Sequence, residues 1–594
     1  MKETKPKAPL FSRRAGSNRA KKLYEMHISD VKNRLKNVQY MSATCDIWSC
    51  KHRSFIAVNI CYIDPKSFEQ KSFLIAIDRF EGSHTNNAVA AKLKDIFKRF
   101  HILGKVVGVT TDDASEFVVA FQRFGDNYAT YENYLNLNER DEVAISDSTV
   151  FEAEQLRSDA DAIILSSDDE GHGYDYDSDD WLNVDVDESL PPIIIESIDD
   201  NDMETTRSLA NEFGQSTATT APDENFHLVP IPVQVDFRTV VHDDGPSEVN
   251  TLLPIRIKCA AHTLNLLGKT DAIKALQNKT YAAVYCKVMA KLNLLWRYCG
   301  HRKKCEIIKQ YIGKVILRPH KIRWNALYDS IHEIVQIDAS KLDALFFKLH
   351  IAVFTESERQ FLGEYLNVLQ PIAHGLTRLE GNIFFAYFLI TLFNVDEELR
   401  LLESTNLKFA KPLLKALRNG FDTRFKEMMD INNAASVPLY LAMLSHPLFK
   451  LNFLPMLKTK ERSTALEYIA KCKGMLLKAI EDIDCEQNNN QTAQSSNSDE
   501  FDVASLLDME CGRSDIILLE IKNFLRDKLT TDFESTFRTY PNMKEVFLKF
   551  NCLMTSEANC ERIFSYADAI SFGSYVKENM TIRCTMPLFY PTIV

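Results

Sequence analysis

The sequence predicts a mixed α/β fold in which a sheet-bearing core near the N-terminus is interrupted by a long acidic loop and a large helical domain. Three observations predict it. Residues 41–125 alternate strand-like runs with stretches of helical period. Residues 126–250 lose that periodicity and are rich in Asp, Glu, Ser and Asn. From Pro254 to about Asp484 helical patterns dominate. At 594 residues, 45% hydrophobic and 26% charged, the chain has material for about three or four domain-sized units, and wholesale disorder is excluded.

The elements follow in order. Met41–Trp48 and Ser54–Asp64 (SFIAVNICYID) are rich in β-branched and aromatic residues and read as strands. Lys71–Phe80 (KSFLIAIDRF) alternates apolar and polar positions and reads as a third strand. The spacers are short, so the three form an antiparallel meander. Asn87–Phe100 places Val89, Leu93, Ile96, Phe97 and Phe100 at helical spacing. Val106–Thr111 is a short apolar run before TDDAS, a fourth strand that ends on carboxylates, and Ala114–Phe124 returns to helix. Residues 126–250 read as a disordered insert. Gln487–Glu500 (QNNNQTAQSSNSDE) reads as a low-complexity linker, with further helix signals from Phe501.

The net charge of −12 averages two unlike parts. Glu139–Glu204 holds 23 acidic residues against Arg140 and Arg157, a charge of −21, so the rest of the chain carries +9. A basic body with an acidic insert is compatible with nucleic acid as a partner, where the average is not. Residues 1–22 are basic and hold Pro, Gly and Ser, which reads as a flexible tail; Arg13–Arg14 and Lys21–Lys22 are loosely similar to nuclear-localisation clusters. No apolar run reaches the ~18 residues of a membrane helix. The longest, Phe384–Val395, reads as a buried helix, and the N-terminus has no signal-peptide core. The 13 Cys include no Cys-x-x-Cys pair, which points to reduced thiols in a nuclear or cytosolic protein.

Asp46 interrupts an apolar first strand and Asp112 ends the fourth. If those two strands are neighbours, the carboxylates lie side by side, an arrangement that repulsion disfavours unless a cation binds. Carboxylates of this kind are the usual ligands of Mg²⁺, and such a centre serves phosphodiester chemistry. Isolated Asp at a strand end is also common, and spacing alone leaves both readings open.

TCDIW with SFIAVNICYID, then FEGSHTNNAVAAKL and VVGVTTDDASEFVVAFQRFG, resemble the catalytic core of hAT (hobo/Activator-type) DNA transposases. KCAAHTLNLL at Lys258–Leu267 and RPHKIRWNALYDSI at Arg318–Ile331 resemble two further hAT blocks, and TSEANCERIFSYADAI at Thr555–Ile570 resembles the C-terminal dimerisation signature. The blocks stand in family order, and the nearest likeness is to zinc-finger-BED/hAT-like proteins. The resemblance implies an RNase-H-like (retroviral-integrase-like) core split by an all-α insertion. It divides the chain into a basic tail and lead-in (1–40), the first part of the core (41–125), the acidic insert (126–250), the end of that part with the helical insertion (251–484), a linker (485–500) and a dimerisation region carrying the last core helix (501–594). It places the catalytic and metal-binding acids on Asp46, Asp112 and Glu561, with Mg²⁺ or Mn²⁺ as cofactor. It implies metal-dependent DNA cleavage and strand transfer by attack of water or a 3′-hydroxyl on phosphorus.

The resemblance also implies DNA contacts for Cys259 and His262 of the Cys-x-x-His block and for Arg323 and Trp324 of the Arg-Trp block. A partly buried Cys with a helix-end His, and a core Trp capped by a surface Arg, fit the same residues. No second pair at finger-like spacing follows Cys259 and His262, so no structural zinc is expected. Between Ala282 and Arg323 many cations, among them Lys287, Arg297, Arg302, Lys303 and Lys309, interleave with Trp296, Tyr298 and Tyr311, a phosphate-contacting surface in this context.

The sequence departs from the family in three places. The paired Cys and His of the BED finger are not found ahead of the core. Asp113 and Glu116 add negative charge beside the second acid. After Ile570, SFGSYVKENMTIRCTMPLFYPTIV carries neither the basic turn nor the closing helix of the family. Within the acidic insert, Ile163–Glu170 (IILSSDDE) and Ile193–Asp200 (IIIESIDD) resemble SUMO-interacting motifs, although apolar triplets in an acidic loop arise by chance as well. The expectation is a nuclear, DNA-binding, self-associating hAT-transposase-like protein, with no membrane contact. The alternative is a non-catalytic DNA-binding or protein-interaction regulator that keeps the scaffold.

Overall fold

The strand-forming runs assemble into one five-stranded sheet in the computed structural model of the chain, which describes residues 13–50, 53–82, 84–126, 128–135, 253–319, 325–457, 462–492 and 503–564. β1 (Met41–Cys50), β2 (Arg53–Ile63) and β3 (Gln70–Phe80) form the antiparallel meander, β4 (Val106–Thr111) runs parallel to β1, and β5 (Ile255–Lys258) runs parallel to β4. The sheet order is β3-β2-β1-β4-β5. β1 and β4 are therefore neighbours.

One face of the sheet is covered by α1 (Arg13–Lys36), α2 (Asn86–Arg99) and α3 (Ser115–Phe124). Ala43, Cys45, Ile56, Val58 and Val109 point into a core with Val31, Leu93, Phe97 and Phe117. The helix α1 differs from the flexible tail expected for residues 1–22. Val31 and Leu35 are buried at helical spacing against the sheet, and that burial carries the helix back to Arg13. β5 is a second difference. Its four residues alternate Ile255 and Ile257 inward with Arg256 and Lys258, too short a run to register as a strand. The first residues after 126 are ordered too: Tyr128–Tyr134 forms a 3₁₀ helix whose Tyr134 hydroxyl donates to Asp482 at 2.6 Å. The two SUMO-motif-like segments lie outside the described residues.

The remainder is helical: α4 (Ala260–Leu266), α5 (Lys279–Cys299), α6 (Arg302–Ile312), α7 (Asn325–Val335), α8 (Ala339–Leu349), α9 (Glu356–Leu379), α10 (Ala386–Glu403), α11 (Lys411–Met429), α12 (Val437–Ser445), α13 (Arg462–Thr492), α14 (Val503–Arg526), α15 (Phe533–Thr539) and α16 (Pro541–Asn551). Helix α13 runs to Thr492, into the stretch that reads as a linker. Every residue of α12 is buried, as a helix enclosed by others requires. Among the described residues no helix is long and apolar enough to cross a membrane.

Two contacts within the helical part lie where the chain leaves the sheet and where it returns to it. A π-helical turn, Leu267–Asp271, leaves α4 and packs on α11, where a Cβ at Gly420 would stand 2.6 Å from Leu267 Cδ1. The buried Asp271 beside it pairs with Arg424 at 2.5 Å. At the end of α16, the buried Asn551 side chain accepts from the Ala386 N–H at 3.1 Å and donates to the Ala442 carbonyl at 2.9 Å. That anchor fixes where the chain re-enters the sheet region.

Candidate active site

β1 and β4 each turn small polar residues to the face opposite the main core. In β1 these are Ser42, Thr44 and Asp46; in β4 and just past it they are Gly108, Thr110 and Asp112. Residues 552–564 lie on that face. The Ser42 hydroxyl donates to the Cys552 carbonyl, and the Thr110 hydroxyl donates to the Met554 carbonyl at 2.7 Å. The Ala260 N–H donates to the Thr555 carbonyl at 2.9 Å. An irregular buried backbone needs such partners, which is why hydroxyls interrupt two otherwise apolar strands.

From residue 558 the chain turns into a helix, α17, described to 564. Cys560, Ile563 and Phe564 pack with Ala57, Leu74 and Ile77 in a second, smaller core. Phe564 stacks on Trp48 with ring centroids 5.6 Å apart, and Cys560 Sγ sits 3.4 Å from Thr44 Oγ1. That packing carries Glu561 toward the end of β1.

The register ends with Thr44 paired to Thr110; Asp46 and Asp112 each follow two residues later, and the charge of Asp112 acts on Asp46. Asp46 Oδ1 accepts from the Ile47 N–H at 2.7 Å, and Asp112 Oδ1 from the Ala114 N–H at 3.2 Å. Burial first, then the charges of Asp112 and Glu561, push the Asp46 carboxyl up to about 7, against the pull of the Ile47 N–H. Glu557 belongs to the same group. It is 2% exposed, and burial pushes its carboxyl far up. The Cys259 hydrogen bond opposes that rise, and the charges of Asp46, Asp112 and Glu561 add to it. The sequence reading missed Glu557, although it precedes Glu561 by one helical turn, and the N–H of Glu561 donates to its carbonyl at 3.3 Å.

Three neighbours qualify the charge. Asp113 does not add to the cluster as expected. Burial would raise its carboxyl, but hydrogen bonds and charge from Arg256 at 2.8 Å and Lys258 at 3.2 Å outweigh this and hold it low. Lys269, on the π-helical turn, is depressed by burial and supported by the charge of Glu561. Glu116 accepts from the Ser115 hydroxyl at 3.2 Å, an exposed local contact.

Cys259 is buried and opens α4, its sulfur accepting from the His262 N–H at 3.3 Å. The Cys-x-x-His spacing is thus a helix start that also touches the acid group through Glu557. Trp296 is buried, its Nε1 donating to Ser330 at 2.8 Å, and offers no stacking face. Arg323 and Trp324 lie outside the described residues. Among the described residues no three His, Cys, Asp or Glu side chains are already grouped as a metal-ligand set.

Residues 44–134 match the family model of the ZBED1 RNase-like domain. This stretch is similar to a ZBED-related RNase-like domain. The matched stretch contains Asp46 and Asp112, while Cys259, Glu557 and Glu561, which act on the same group of acids, lie beyond it in sequence. No curated protein matches the chain.

Proposed function

We propose that the chain is a nuclear hAT-transposase-like protein that binds DNA and self-associates through its C-terminal region. Its core is RNase-H-like, and its ancestral reaction is metal-dependent DNA strand cleavage and transfer. The observation that carries this reading is that the charges of Asp112 and Glu561 both act on the buried Asp46 near the end of β1. The sheet order β3-β2-β1-β4-β5 and the RNase-like match support the core assignment.

Carboxylate oxygens suit a hard divalent cation, Mg²⁺ or Mn²⁺. One of them, Oε2 of the buried Glu557, has no hydrogen-bond partner, as a donor atom awaiting a cation would. Asp46, Asp112 and Glu561 would hold the ion, two from the sheet and one from α17. When bound, the cation activates the attacking oxygen and offsets charge on the scissile phosphate. The residues themselves mainly position the phosphate. The exposed Lys287, Arg297, Arg302, Lys303 and Lys309 of α5 and α6 hold the DNA backbone in this reading. His262, Arg323 and Trp324 are its further DNA contacts.

A second reading, a non-catalytic DNA-binding or interaction regulator, is favoured by the lack of a ready-made metal-ligand set among the described residues. A cleavage assay on DNA carrying terminal inverted repeats separates the two. Cleavage that requires Mg²⁺ or Mn²⁺ and is lost in Asp46→Asn and Glu561→Gln supports the first. A chain that binds this DNA without cleaving it supports the second.

A further inference from the structure

We infer that Glu557 is a fourth carboxylate ligand of this divalent-cation centre, held in place by Cys259. The inference deepens the proposed metal site and rests on it. Glu557 immediately precedes α17 and is 2% exposed, yet its carboxyl is not fully satisfied. The carboxyl is hydrogen-bonded by the Cys259 thiol. The sulfur in turn accepts backbone N–H groups from His262 and from Glu557 itself, so its hydrogen is directed to the carboxyl. One of its oxygens, Oε2, is buried without a partner. A buried carboxyl atom left this way is costly, and the three charges acting on it are also carboxylates: Asp46, Asp112 and Glu561.

A purely structural role accounts for the Cys259 side of this residue and not for the other. A glutamine or a leucine would fill the same space without adding to a group of like charges. A divalent cation accounts for both halves. It takes the free oxygen, and Cys259 becomes the outer partner that orients the ligand, as hydrogen-bonded groups behind metal ligands commonly do. Cys259, being buried, then acts through Glu557 and does not touch DNA. The link also gives β5 and α4 a place in the site, because Cys259 joins them and its N–H donates to the Thr111 carbonyl at 3.0 Å.

The test is a Mn²⁺ titration of the full chain, read as loss of the free-ion EPR signal, with the Mn²⁺-induced rise in melting temperature as a second readout. Wild type binds, and Asp46→Asn does not. Glu557→Gln binds at least tenfold more weakly and shows a smaller metal-induced rise, while melting no lower than wild type without metal. Should Glu557→Gln fail to fold, Glu557→Asp, which withdraws the same donor by one methylene, shows the same weakening. Binding by a folded Glu557 variant within twofold of wild type, with Asp46→Asn still silent, overturns the inference and leaves the metal site standing. Absence of binding by wild type, or binding untouched by Asp46→Asn, removes both.

Discussion

Asp112 follows the last residue of β4, and its charge acts on Asp46, which lies in the neighbouring β1 two residues past the Thr44–Thr110 pair. The paired ladder ends at Thr44 and Thr110, and each chain continues two residues to an acid, so two like charges act on one another just past it. The two cations of β5 do not relieve that pairing, since Arg256 and Lys258 direct their charge to Asp113.

The pairing has a pH signature in the metal-free chain. The Asp46 carboxyl lies at about 7 in the folded protein against an ordinary value of 3.8, so folding favours its protonated form. Its contribution to stability is full below pH ~4 and is lost as pH rises through ~7. Asp46→Asn should therefore stabilise the metal-free protein at pH 8 and gain nothing at pH 4, measured as the difference in urea midpoint from wild type. An equal effect at both pH values contradicts the assigned environment.

The position of Glu561 depends on the small core under α17. Phe564→Ala removes the ring stacked on Trp48 and should cost about 3 kcal/mol locally. Hydrogen exchange should rise across 558–564 while β1, β2 and β3 stay protected. Unchanged protection of 558–564 would show that something other than this packing holds the helix.

Gly108 sets how closely residues 552–556 can approach the sheet. A Cβ there would stand 2.8 Å from Leu553 Cδ2, with Ile255 and Ile257 at 3.3 Å leaving little room to yield. Gly108→Ala should cost about 1–3 kcal/mol in chemical denaturation and weaken Mn²⁺ binding, because the displaced segment leads into Glu557 and Glu561. Wild-type stability in this variant would mean that the segment does not seat as described.

The exposed cations of α6 give a salt-dependent prediction. Arg302→Glu, Lys303→Glu and Lys309→Glu together should weaken DNA binding across sequences. The slope of log K against log salt should flatten by about 0.9 for each phosphate that the variant no longer neutralises. Deleting residues 139–204, which removes −21, should tighten binding at low salt if that stretch competes with DNA. A triple variant with the wild-type slope would place the DNA path elsewhere.

Much of the core was readable because its signals are local. Strict alternation and short spacers give the meander, and a strand that stops on TDDAS gives Asp112 its place. Glu561 carries no local signal of this kind; its link to Asp46 runs through tertiary contacts of Cys560 and Phe564, and only the resemblance pointed to it. Glu557 was one helical turn away but sits in a segment with no apolar period, so burial could not be foreseen. β5 escaped because four residues hold too little alternation, and α1 because its basic surface masks the Val31 and Leu35 positions that bury it. Asp113 looked like added negative charge because its two cations lie on β5, far along the chain.

Anomalous scattering from crystals of the full chain soaked with Mn²⁺ tests the cation centre most directly. The expected result is a peak bounded by Asp46, Asp112 and Glu561, with carboxylate oxygens at about 2.1 Å. Carboxylates that stay apart around an empty position at saturating Mn²⁺ would contradict it.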